Sequence, residues 1–203
     1  MSTVAKGDAF ENKVFKNIKQ LAESGDLGLN PSCCRLFQKK GYYSRDRGSD
    51  IVVDISIEVW LPDADRWSML WVCECKDYSK AVPVDDIEEF KAKLNQITGV
   101  NVKGLFATSS AFQSGALNYS RSNGIGLLRL LPDDQIDTLL YFMTPEVMRR
   151  QEAQQRIEYK KALVNHNHRT EGSGFYSIYD GYVHHTWHSL LKAYFSEAAR
   201  NVS

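Results

Sequence analysis

Apolar residues recur at helical spacing through Phe10, Val14, Ile18 and Leu21, which predicts a helix over Asp8–Glu23 that Gly25 stops. A polar stretch holding Gly, Pro and a short apolar patch at Leu36–Phe37 follows and reads as a connection. The β-branched run Ile51–Trp60 alternates most clearly over Val53–Val59 and predicts a strand. Leu61–Arg66 reads as a turn and Met69–Lys76 as a second, more apolar strand, so the two form a hairpin. Beyond them the pattern predicts a helix over Val84–Ile97, a strand over Val102–Thr108, a helix over Ser114–Ser122 and a strand over Gly126–Leu131. Asp8 and Glu11, and again Asp85 and Glu88, stand at capping-box spacing. This order predicts an α/β fold with a mixed central sheet flanked by helices, its last helix–strand pairs entering by right-handed crossovers.

Pro132-Asp133-Asp134 marks a boundary, dividing the chain into a first domain over 1–132 and an extension over 133–203. In the extension Asp134–Phe142, Pro145–Leu163 and Thr186–Ala199 have helical patterns, and His166–Tyr182 is turn-rich. The long middle helix would start with Thr144 as N-cap and Pro145 at its first position. Seven aromatic residues lie between Phe175 and Phe195, which must be covered by the first domain or by a second copy of the chain.

Composition narrows the function classes. Lys plus Arg and Asp plus Glu both number 25, so a protein that coats nucleic acid through bulk charge is excluded. The cysteines fall as Cys33-Cys34 and Cys73-Glu74-Cys75, neither of which is a C-x-x-C pair, and reduced thiols in a cytoplasm are expected. No apolar run reaches the roughly 20 residues needed to span a bilayer, so no membrane partner is expected.

Candidate chemistry lies in Gly48-Ser49-Asp50 and, further on, Glu74-Cys75-Lys76. Glu74 and Lys76 leave one face of an apolar strand, which is costly unless each finds a partner. Asp50 on the neighbouring strand is the expected partner. With the Cys75 carbonyl, Asp50 and Glu74 would form a hard-oxygen cradle suited to Mg²⁺ or Mn²⁺. Lys76 would position water or stabilise charge during phosphodiester hydrolysis.

Taken together, Phe10-Glu11, Gly48-Ser49-Asp50-Ile51-Val52-Val53, Val72-Cys73-Glu74-Cys75-Lys76 and Gly104-Leu105-Phe106-Ala107-Thr108-Ser109-Ser110-Ala111-Phe112 resemble the Mrr-like branch of the PD-(D/E)xK nucleases. Ala116 and Gly124-Ile125-Gly126-Leu127-Leu128 continue the pattern, which covers roughly residues 7 to 131. The resemblance implies a restriction-endonuclease-like core with a C-terminal helical extension. It also implies a metal-dependent DNA endonuclease working in restriction, anti-phage defence or repair, with RNA not set aside as substrate. Asp50, Glu74 and Lys76 would be its catalytic residues. Glu11 matches a helix glutamate that some members add to the site, although a capping-box role explains it equally well. Members of the family often carry Gln at the Glu74 position, and they usually join the nuclease to a reader or sensor, which here would be a separate protein. A homodimer follows from the family habit of pairing two sites.

Three further readings stay open. A nuclease fold could bind nucleic acid or assemble a complex without cutting it. Lys39, Lys40, Tyr43, Arg45 and Arg47 suit phosphate contacts and base stacking, or simply form a solvated loop. The five late histidines, His166, His168, His184, His185 and His188, read as surface and interface residues more readily than as Zn²⁺ ligands.

Overall fold

The computed structural model describes residues 3–24, 30–97, 101–132, 157–170 and 174–200. Seven strands form one sheet in simple sequential order: β1 (Cys34–Ser44), β2 (Ser49–Val59), β3 (Met69–Lys76), β4 (Val102–Thr108), β5 (Ile125–Leu130), β6 (Phe175–Tyr179) and β7 (Tyr182–His184). The first two junctions are antiparallel, β3–β4 and β4–β5 are parallel, and the last two are antiparallel again. The helices α2 (Val84–Gln96) and α3 (Ser114–Ser122) make the two parallel crossovers and pack on the same face. With them lies α4, helical over the described residues 157–164. The opposite face carries α1 (Thr3–Ser24) and α5 (Trp187–Arg200).

The central strand β3 explains this layering. Its first six residues, Met69-Leu70-Trp71-Val72-Cys73-Glu74, are all buried. Met69, Trp71 and Cys73 enter the core under α1 and α5, while Leu70 and Val72 enter the core under α2 and α3. A strand buried on both sides reads as a nearly continuous apolar run.

Three sequence expectations are corrected. The stretch around Leu36–Phe37 is not a connection but an eleven-residue edge strand, whose mixed burial lacks clean alternation. The turn-rich region contains the β6–β7 hairpin, turned at Asp180-Gly181 with φ of 49° and 76°. β6 pairs with β5, so the expected helical extension supplies two strands to the same sheet. The third concerns the caps. α1 starts at Thr3, which puts Asp8 and Glu11 inside the helix, and the N-cap of α2 is Pro83, with no side-chain bond from Asp85 or Glu88. The helix expected over 134–142 and the part of the next over 145–156, with Thr144, lie outside the described residues.

Intramolecular packing covers the aromatic tail. Phe175, Tyr176, Tyr179, Tyr194 and Phe195 are buried, Trp187 packs against Phe175, and only Tyr182 of the seven is largely exposed. Tyr194 stands edge-on to Trp71, stacks on Tyr179 and donates to the Gly104 carbonyl at 2.8 Å. Arg129 on β5 is fully buried and donates to the carbonyls of Ala162, Asn165 and His166, fastening the C-terminal end of α4 where a cation suits the helix dipole. Burial lowers the Arg129 pKa to about 10.

Gly126 admits Tyr194, because a Cβ there would lie 1.9 Å from the tyrosine hydroxyl. Gly126→Ala should therefore cost roughly 1–3 kcal/mol through overpacking. Gly7 lies within α1, where an added Cβ would meet nothing within 4 Å, and Gly7→Ala should gain about 0.5–1 kcal/mol. Urea denaturation of both variants checks the pair of opposite signs.

Candidate active site

The site forms where β2 and β3 part. Their ladder runs from Val59↔Met69 to Ile55↔Cys73, and the next residues are Asp54 and Glu74. No further backbone pair follows. The Asp54 carboxylate takes over, its Oδ2 accepting from the Cys75 amide at 2.8 Å. Side-chain direction also switches here. Ile51 and Val53 belong to the core under α2, whereas Ile55, Ile57 and Val59, of the same parity, belong to the core under α1. Such a switch lets an acidic residue at position 54 lie at the rim rather than in either core.

Glu74 is buried beside this point and is neutralised by two lysines. Lys93, from α2, donates to its Oε1 at 2.8 Å, and Lys76 lies 3.4 Å from the same oxygen. The other oxygen carries neither lysine. Burial works against the Lys76 ammonium, but Glu74, Tyr78 and Asp54 outweigh it and hold its pKa above the ordinary lysine value. On the opposite side Glu11, buried inside α1, accepts from Gln38 Nε2 at 2.8 Å. Lys39 pairs with Glu11 and with Asp54 Oδ1, the latter at 3.4 Å.

The structure thus gathers Glu11, Glu74, Lys76 and Cys75 at one rim, but not Asp50. Asp50 is exposed, pairs with Tyr43 on β1, and stands four residues up the strand from Asp54, roughly 13 Å away. Its carboxylate lies over Gly41, where a Cβ would be 2.9 Å from Asp50 Oδ2. The residue facing the Glu74 segment is Asp54, which the motif pattern does not single out. A signal for it was present: Asp54 is an ionisable residue inside a β-branched run, and counting back from the turn at Leu61–Arg66 meets β2 near Asp54, not Asp50. Lys93 escapes notice in the sequence because it is one of several charges on an amphipathic helix.

The basic set around the first hairpin divides. Lys39 is engaged as described, and Lys40 pairs with buried Glu58 at 2.6 Å while its ammonium lies 3.6 Å from the Phe37 ring centroid. These two lysines face inward partners. Tyr43, Arg45 and Arg47 are exposed at the β1–β2 turn, with Arg47 Nε donating to Gln96 at 3.2 Å. Among the late histidines, His166 meets Ser110, His168 meets Tyr176 and His185 meets Tyr159.

Among the described residues no group of three His, Cys, Asp or Glu side chains converges on a metal position. The donors at the strand split are two carboxylates, Asp54 and Glu74, and the main-chain carbonyl of Cys75. All are hard oxygens of the kind that suits a small divalent cation.

The restriction endonuclease family model of the Mrr catalytic type matches residues 28–140. This chain belongs to the Mrr restriction endonuclease family. The Mrr match spans β1 to β5 and includes Asp54, Glu74 and Lys76. No curated protein matches the chain. Among solved structures it is similar to the crystal structure of a protein of unknown function, AF1548, at 15% identity and a TM-score of 0.38, over 53% of this chain and 55% of that one. The match thus spans little more than half of that protein. No helix among the described residues is long and apolar enough to cross a membrane.

Lys93 is three-quarters or more shielded and holds a buried carboxylate. Lys93→Met should lower stability by about 1–3 kcal/mol, because Glu74 keeps only the longer Lys76 contact. Chemical denaturation measures the loss.

Proposed function

We propose that this Mrr-family chain is a metal-dependent DNA endonuclease of restriction, anti-phage defence or repair, with Asp54, Glu74 and Lys76 as its catalytic set. The observation that carries the reading is the strand split, which puts two carboxylates and a lysine at one rim with Asp54 tied to the Cys75 amide. Mg²⁺ or Mn²⁺ held by Asp54, Glu74 and the Cys75 carbonyl would polarise the phosphoryl oxygen and acidify a bound water.

The chain's own residues do the rest. The Cys75 amide and Lys39 hold one Asp54 oxygen each, which restrains the carboxylate. Lys76 stays protonated and serves as a fixed positive charge for the developing oxyanion, not as a general base. Tyr43, Arg45 and Arg47 lie exposed at the β1–β2 turn, away from the strand split, and suit contacts with the backbone of flanking DNA. One observation favours a second reading, a nuclease fold that binds DNA without cutting it: lysines neutralise every carboxylate of the cluster.

Incubation with supercoiled plasmid and linear DNA in Mg²⁺, Mn²⁺ or EDTA separates the two. Cleavage with metal alone is expected, and binding with no cutting under any metal establishes the second reading. Asp54→Ala and Glu74→Ala should each lose about 100- to 1,000-fold or more in rate. Asp50→Ala should cut near the wild-type rate, and the reverse ranking of the two aspartates would return the metal to Asp50.

The charge on Lys76 bears on the pH profile as well. A lysine pKa raised in the fold is charged throughout the neutral range and loses its proton only above the ordinary value of about 10.4. The rate should show no descending limb between pH 7 and 10 on its account, and Lys76→Ala should lower turnover far more than DNA affinity.

A further inference from the structure

Lys39 crosses from the edge strand into the cluster at an unusual backbone angle. Its neighbours Gln38 and Lys40 pair with Ile55 and Val53, so Lys39 lies opposite Asp54, yet its φ is +54°. That left-handed conformation costs a side-chain-bearing residue roughly 1–2 kcal/mol. The conformation delivers the ammonium between Glu11 of α1 and Asp54 of β2. The Glu11 side chain is only 4% exposed, so it needs a cation beside it.

We propose that Lys39 is a tethered cation of the catalytic cluster, its ammonium standing between Glu11 and Asp54 in place of a divalent ion. The chain therefore takes one divalent ion fewer than its carboxylates could hold, and Lys39 is a positioning residue that keeps Asp54 aimed at the strand split. The inference rests on the proposed role of Asp54 at the metal.

Counting bound Mn²⁺ on the full chain by electron paramagnetic resonance tests it without a cleavage assay. Lys39→Met should bind one more Mn²⁺ per chain than the wild type, and adding Glu11→Gln should remove the extra ion. Lys39→Arg, which keeps the charge, should match the wild-type count. An unchanged or smaller count in Lys39→Met overturns the proposal. If that variant folds poorly without metal, thermal unfolding decides: a larger Mn²⁺-induced rise in Tm than the wild type shows supports the tethered cation, and an equal or smaller rise refutes it. Failure of the nuclease reading would show separately, as a wild-type chain that binds no Mn²⁺ and cuts nothing.

Discussion

At the end of the β2–β3 ladder a side-chain carboxylate replaces a backbone carbonyl, Asp54 Oδ2 accepting the Cys75 amide at 2.8 Å. The backbone ladder has its last pair at Ile55↔Cys73, so the strands part beyond it and a carboxylate satisfies the next donor. The arrangement of the rim depends on that substitution. It brings Asp54 to the segment that carries Glu74 and Lys76, and it leaves Oδ1 beside Lys39. A continued ladder would have closed the split.

Charge is balanced locally as well as globally. The chain carries 25 basic and 25 acidic residues, and the buried carboxylates take their counter-charges from a few inward-facing lysines. Glu74 is met by Lys76 and Lys93, Glu11 by Lys39, and Glu58 by Lys40. A buried carboxylate without a partner costs several kcal/mol, so these lysines stabilise the rim as it stands. They also explain why a basic-looking hairpin offers less positive surface than its composition suggests.

The C-terminal segment is structurally part of the same body. β6 extends the sheet beyond β5, Tyr194 fills the space left by Gly126, and Arg129 clasps the end of α4. Long-range contacts of this sort tie the tail to the strands of the Mrr match rather than forming an independent unit. The dense aromatic composition of the tail thereby goes into the chain's own core.

The elements with strong local signals were legible in the sequence. The strands Met69–Lys76 and Val102–Thr108 and the helix Ser114–Ser122 have the predicted bounds, because apolar periodicity and burial agree there. Glu74 and Lys76 stood out for a related reason, as charges inside a buried strand. The edge strand β1 and the hairpin β6–β7 did not, since polar residues serve an edge well and β6 joins the sheet through β5, far back in the sequence. That Asp54 and not Asp50 meets the Cys75 amide belonged to tertiary structure. Both are acidic residues of one strand and one parity, and only the pairing register with β3, set by the hairpin, decides which of them reaches the neighbouring strand.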